Sequence, residues 1–295
     1  MLWKGREGSS NIEDLRGIGG RGLALGGGGC GTLIIVILGL LFGFDPQALL
    51  NQLPTQTQAP TQTQQGRTGA STQQDDEMKQ FISVVLADTE KVWTDILPKQ
   101  AGTRYRKPTL TLFTGGVSSA CGRASAAVGP FYCPGDEKIY IDFSFYRELK
   151  TQFRAPGDFA QAYVLAHEVG HHIQNILGTS DKVTAAQQRA RSETQSNQLS
   201  VALELQADCY AGVFAYYEQN KGFLEAGDIQ EALTAASAVG DDNIQKMGQG
   251  QVVPDSFTHG SSQQRASWFQ RGFQAGDMRQ CNTFGGSNSG RGGGF

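Results

Sequence analysis

The five residues His167-Glu168-Val169-Gly170-His171 constrain this chain more than any other stretch, because they demand a helix and then demand partners for it. Apolar residues recur at Phe159, Ala162/Tyr163, Ala166, Val169/Gly170, Ile173 and Ile176/Leu177, the spacing of one helical face. Asp158 is placed to cap the start, with Gln161 three residues on, and Gly178 stands where such a helix closes. Residues four apart lie nearly above one another, so His167 and His171 present two imidazoles to one point. Neutral imidazole suits zinc, and this spacing lets two rings share one tetrahedral ion. Glu168, one residue along, falls beside such a metal, where it can take a proton from water.

A string of this kind also arises by chance, so a third donor decides its worth. Zinc of the catalytic kind takes three protein ligands and leaves a fourth position open. Glu204 is the candidate: it lies in Val201-Ala-Leu-Glu-Leu-Gln-Ala-Asp-Cys-Tyr-Ala211, where an unpaired carboxylate is expensive to bury. Asp208, one turn on, is placed to accept the outer N–H of His167 or His171 and so fix its tautomer. Across a cleft, His259, Arg265 or Tyr210 can donate to the oxyanion formed when water adds to a carbonyl. His172 points about a quarter-turn from His171 and is expected to serve as a partner or surface group.

Before this core the chain changes character twice. Residues 1–21 are polar, and then Gly22 to Phe44 carries no charge. Twenty-three uncharged residues are enough to span a bilayer, since about 20 suffice in a helix. The long polar lead and the lack of a small-x-small site argue for an uncleaved anchor over a signal peptide. Four basic residues precede the stretch and Asp45 follows it, which orients the amino end toward the cytoplasm. The expectation is thus a single-pass inner-membrane protein with its catalytic domain periplasmic. Gly39 and Gly43 form a G-x-x-x-G face that can pair helices into a homo-oligomer. Residues 45–77, rich in Gln, Thr and Pro, read as a disordered tether. Many of the 39 glycines fall before residue 44 or after 284, so 285–295 reads as a disordered tail. Net charge is −3 with no long basic run, so nothing points to nucleic acid.

Between tether and tail, residues 78–284 read as one domain. Phe81, Val84/Val85, Ala87/Asp88, Val92 and Trp93 trace an amphipathic helix ended by Pro98. Thr109 to Phe113 and Lys138 to Phe143 alternate apolar and polar residues and read as strands. Further helices are expected at 180–198, 199–217, 225–239 and 261–274. The strand near Ala126 to Pro130 is a candidate for pairing with an extended peptide. Cys30 lies in the uncharged stretch, leaving Cys121, Cys133, Cys209 and Cys281. Four cysteines allow three pairings; Cys121–Cys133 is the natural local pair, leaving Cys209–Cys281. Disulfides belong in an oxidising compartment, and the rival is four reduced, buried thiols.

Together, His167-Glu-Val-Gly-His171 and Glu204-x-x-x-Asp208 resemble the gluzincin arrangement of thermolysin and of the membrane-bound CAAX-prenyl-protease and heat-shock protease group. Thr258-His259-Gly-Ser-Ser-Gln-Gln-Arg265 is similar to that group's His-x₅-Arg segment. The run from Cys121 through Cys281 resembles the bacterial neutral zinc metallopeptidase family, notably at Gly129-Pro-Phe-Tyr-Cys-Pro134 and Ala166 to Gln174. The resemblance implies one zinc ion per chain held by His167, His171 and Glu204, with Glu168 as general base. His259 is then a catalytic candidate, and Asp208 and Arg265 stand behind the ligands. The implied fold is α+β, a zincin-like domain, mainly helical with a small antiparallel sheet, behind one N-terminal transmembrane helix. The implied activity is a membrane-anchored endopeptidase acting on peptides or proteins. The alternative is a zinc-stabilised, non-catalytic, membrane-tethered interaction domain, although a closed structural site wants four protein ligands and has no use for Glu168.

Overall fold

The computed structural model describes residues 1–17 and 73–284, and the second stretch opens on its longest helix, α1 (Gln73–Ala101). A stripe of Phe81, Val84/Val85, Val92, Trp93 and Ile96/Leu97 buries one face of α1. Pro98 does not end this helix as expected. It falls in the closing turn, so the ladder loses the single bond that its missing N–H would have made to Thr94, and its own carbonyl accepts from Gly102 N at 3.0 Å.

The sheet has four strands in the order β1 (Ile12–Asp14), β2 (Thr109–Phe113), β6 (Lys138–Asp142), β5 (Phe131–Cys133). It is mixed, and this corrects the expectation of an antiparallel sheet: β1–β2 and β2–β6 run parallel, and β5–β6 is antiparallel. The reason lies between residues 113 and 138. The chain there makes a separate hairpin, β3 (Gly116–Ser119) with β4 (Gly122–Ser125), and then a 3-10 turn, Ala126–Val128. It doubles back through β5, so β6 re-enters beside β2 in the same direction. The strand expected at Ala126 to Pro130 is therefore that turn, and the edge of the sheet falls at β5 instead.

The amino-terminal residues belong to this same body. β1 lies in register with β2, Ile12 against Leu110 and Asp14 against Leu112. Trp3 meets Phe81 edge-on with ring centroids 5.5 Å apart. Arg6 Nη2 donates to Asp88 Oδ1 at 2.5 Å, and the Met1 ammonium lies 2.7 Å from Asp158, 3.1 Å from Glu225 and 3.2 Å from Asp228. A single membrane crossing at 22–44 would put residues 1–17 and residues 73–284 on opposite sides, whereas here they are joined main chain to main chain. Among the described residues no helix is long and apolar enough to cross a membrane. The transmembrane part of the fold expectation, and with it the placement as a single-pass inner-membrane protein with a periplasmic domain, is thereby overturned. The stretch 22–44 itself, with Cys30, Gly39 and Gly43, lies outside the described residues, as do most of the expected tether and the tail from 285.

Asp142 closes β6 and caps α2 (Phe143–Thr151), accepting from Ser144 N at 2.8 Å. Then follow α3 (Asp158–Ile176), α4 (Thr179–Gln187), α5 (Glu193–Asn220), α6 (Asp228–Ala238), α7 (Asp241–Gln249) and α8 (Ser262–Ala275). Helix α3 is central: it packs on α1, α5 and α6 and carries fourteen buried residues from Phe159 to Gln174. Glycines set how closely the helices approach. A Cβ on Gly170 would stand 2.9 Å from Ala207 Cα, and one on Gly272 of α8 would stand 1.9 Å from the Cys209 carbonyl. Helices α3 and α8 are thus drawn in against α5. Disulfides Cys121–Cys133 and Cys209–Cys281 are both formed, the second fastening the chain after α8 to α5.

Candidate metal centre

The close contact at Gly170 decides where α5 lies, and α5 brings Glu204 over the two histidines of α3. Glu204 Oε2 is 3.1 Å from His167 Nε2, and its Oε1 is 3.3 Å from His171 Nε2. Donor atoms about 2.1 Å from one tetrahedral ion stand about 3.4 Å apart, so the spacing suits a shared metal. Two imidazoles and a carboxylate also suit zinc in kind. The described residues hold one other group of acids close enough for an ion, Asp158, Asp228 and Glu231. There the Met1 ammonium is bound by the two aspartates, and Glu231 accepts from Phe159 N at 3.0 Å.

Both histidines are held from behind. His167 Nδ1 lies 2.8 Å from Asp208 Oδ1, one of the two pairings expected for that carboxylate. Asp208 is fully buried and is bound on its other side by Arg265 Nε at 2.8 Å. Tyr163, one turn before His167, donates to Asp208 Oδ1 at 2.5 Å. His171 takes a different partner: Nδ1 lies 2.9 Å from Gln174 Oε1, and Gln174 Nε2 donates to Leu203 O at 2.7 Å. Gln206 continues the chain, donating to Cys281 O at 2.9 Å, so the second disulfide reaches the site through two glutamines. Nothing in the residue types marked Gln174 or Tyr163; their spacing, three and four residues from the histidines, was the available signal.

Charge balance follows from these contacts. Burial opposes a charged His167, but Asp208 and Glu204 outweigh it and raise its pKa to about 10. Burial raises the Glu168 carboxyl, with His171 and His167 pulling the other way. Burial also works against the charged form of Asp208, yet Arg265 and His167 bring it below the usual carboxylate range. The centre therefore gathers more acceptor than donor, which a divalent cation answers.

A cleft of about 650 Å³ opens over Glu168 and the two histidines. His259 also lines it, its side chain half exposed. Asp241, at the start of α7, holds that residue: Oδ1 lies 3.1 Å from His259 Nδ1, and Oδ2 accepts from the backbone of Thr258, His259 and Gly260. Arg265 is spent on Asp208 and Tyr163 and lies 3.9 Å from Glu204. Tyr210 is not at the site; it is buried edge-on against Trp93, 5.7 Å between centroids. His172 is fully buried, bonding the Arg106 carbonyl at 2.6 Å and Tyr132 Oη at 3.0 Å, so it ties β5 to α3.

The family described as "Putative neutral zinc metallopeptidase" matches residues 1–284. The chain is 48% identical over 293 residues to "Uncharacterized protein YpfJ" of Escherichia coli strain K12, covering 97% of this chain and 99% of that protein. It is 43% identical over 264 residues to "Uncharacterized protein Rv2575" of Mycobacterium tuberculosis strain H37Rv, covering 83% and 84%. No solved structure matches. The family implies zinc as cofactor, and His167, His171 and Glu204 form a group that can hold it.

Proposed function

The chain belongs to the neutral zinc metallopeptidase family, and from that premise we propose that it is a zinc-dependent endopeptidase, with His167, His171 and Glu204 as ligands and Glu168 as general base. One observation carries the reading: three donors converge beside Glu168 on the wall of an open cleft. A structural zinc site is closed by four protein ligands, so the open cleft favours catalysis over the non-catalytic alternative.

When bound, zinc supplies a Lewis acid that polarises the carbonyl and acidifies water. Glu168, buried and so unusually basic for a carboxylate, takes the proton of the attacking water and returns it to the leaving amine. Asp208 and Gln174 hold the outer ring nitrogens, so both histidines keep the tautomer that points Nε2 at the metal position. His259 lines the cleft and is held by Asp241 through Nδ1, which leaves Nε2 as the nitrogen to donate to the oxyanion as it forms. The outer edge of β5 ends the sheet and supplies Phe131 and Tyr132 to the cleft, an edge on which an extended peptide can add as a strand.

The test is zinc content together with chelator-sensitive cleavage of casein by the purified full chain, alongside Glu168→Gln. The variant is expected to bind one zinc per chain and to lose at least 100-fold in turnover. Full turnover by Glu168→Gln would remove this base from the mechanism.

A further inference from the structure

The hydrogen-bond chain behind His171 continues away from the cleft and ends at a covalent bond. Gln174 grips two ligand positions at once. Its Oε1 meets His171 Nδ1 at 2.9 Å, and its Nε2 donates at 2.7 Å to the carbonyl of Leu203, the residue before Glu204. The same Nε2 reaches Gln206 Oε1 at 3.2 Å, and Gln206 Nε2 donates to the Cys281 carbonyl at 2.9 Å. Cys281 is bonded through sulfur to Cys209, on the same helix as Glu204. Beyond it, Thr283 Oγ1 donates to the Ala202 carbonyl at 2.6 Å, so the two carbonyls that precede Glu204 are both engaged from outside α5. Gln174, Cys209 and Cys281 are buried, as is Gln206. Water does not stand in for a lost partner at such depth. A Gln206 amide without the Cys281 carbonyl must turn to find another acceptor, and Gln174 turns with it, which takes Oε1 off His171.

We propose that the Cys209–Cys281 disulfide, acting through Gln206 and Gln174, is a positioning element for His171 and Glu204, so that its oxidation tightens zinc binding. This rests on the reading of His167, His171 and Glu204 as the zinc ligands. Reduction breaks the S–S bond: two electrons and two protons from a dithiol leave two cysteine thiols and the reductant's own disulfide. The segment from Cys281 then loses its covalent hold on α5. Upstream, Gln100 of α1 bonds the Gly276 carbonyl at 3.3 Å and the Met278 N–H at 2.8 Å, so α8 keeps its anchor and Arg265 stays on Asp208. The change is confined to the stretch that carries the Cys281 carbonyl and Thr283. Binding linkage is reciprocal: the factor by which oxidation tightens zinc is the factor by which zinc protects the disulfide from reduction.

The experiment strips the full chain of metal and reads its zinc Kd by competition with a fluorescent chelator. Wild type is compared with the double variant Cys209→Ser, Cys281→Ser, with Gln206→Met, and with the double variant Cys121→Ser, Cys133→Ser. Gln206→Met keeps the disulfide and the side-chain length but removes both glutamine hydrogen bonds. Zinc Kd is expected to rise about 10-fold in the Cys209/Cys281 variant and in Gln206→Met, and to stay unchanged in the Cys121/Cys133 variant. The converse is read on the wild type, as the reduction potential of Cys209–Cys281 in a dithiothreitol buffer with free zinc clamped, each pair being followed by alkylation and mass spectrometry. Saturating zinc is expected to make that potential more negative by about 30 mV, the equivalent of a tenfold factor. Should the Cys209/Cys281 variant fail to fold, Gln206→Met and the wild-type potential carry the test. Wild-type zinc affinity in Gln206→Met, or a potential indifferent to zinc, overturns the inference and leaves the metal centre standing. Equal weakening in the Cys121/Cys133 variant also overturns it, because the effect is then general loosening. Undiminished zinc affinity in His171→Ala overturns the metal centre itself.

Discussion

At the scale of the residue, the centre is a set of charges that each need the others. Asp208 is buried with three partners, and the one it gives His167 sets which ring nitrogen faces Glu204. Asp208→Asn is expected to weaken zinc binding about 10–100-fold in a chelator competition, because an amide can present N–H where the ring needs an acceptor. His259→Ala acts later in the reaction. It is expected to leave zinc content unchanged and lower kcat/KM about 100-fold, the loss typical of one oxyanion donor; an unaltered rate would assign His259 to structure. His167, Glu168, His171, Glu204 and Asp208 were legible because charged or metal-binding side chains in an apolar helix pattern require an explanation. Asp241 was not legible, since Asp241-Asp242 after Gly240 reads as the acidic first turn of a helix, and only folding brings it to His259.

At the scale of the element, what positions the site is the distance between two helices. Gly170 faces Ala207 with no room for a methyl group, and the contact involves backbone that cannot swing aside. Gly170→Ala is expected to push α5 from α3 and lower stability by about 1–3 kcal/mol in urea titration. It is also expected to weaken zinc binding, because Glu204 moves with α5. Loss of stability with unchanged zinc affinity would show that α5 gives way elsewhere. Helix α3 was readable in advance to within a residue at each end, whereas the division expected at 198/199 falls inside α5, and α1 runs past Pro98 to Ala101. The short elements were not readable. α7 reads Asp-Asp-Asn-Ile-Gln-Lys-Met-Gly-Gln, with too few apolar residues to declare a face, and α2 begins inside what looks like a continuing strand. β1 and β5 have three residues each, too short for alternation to register.

At the scale of the whole molecule, the amino-terminal segment is built into the domain that carries the candidate metal centre, through buried charge as well as through strand pairing. Arg6 enters between Asp88 and Glu218, both essentially without solvent exposure. Burial, then the Glu218 charge, raise Asp88 to about 7, against the pull of Arg6. A carboxyl raised on folding stabilises the native state while protonated in it, so its contribution is complete below about 3.8 and is lost as pH climbs through about 7. Asp88→Asn is therefore expected to gain stability relative to wild type between pH 4 and 8, read from urea midpoints; parallel curves would show that Asp88 does not titrate there. Membership of residues 1–17 in the domain was hidden by the uncharged run that follows them, which reads as a barrier between compartments.

A strand that lies next to a neighbour nearly a hundred positions later imposes an order on synthesis. As the chain leaves the ribosome, residues 12–14 have nothing to pair with until β2 has emerged, and β2 reaches its other neighbour only once residue 142 has been made. Residues 12–14 thus depend for their place on pairings of long sequence separation, which form more slowly than contacts within a helix.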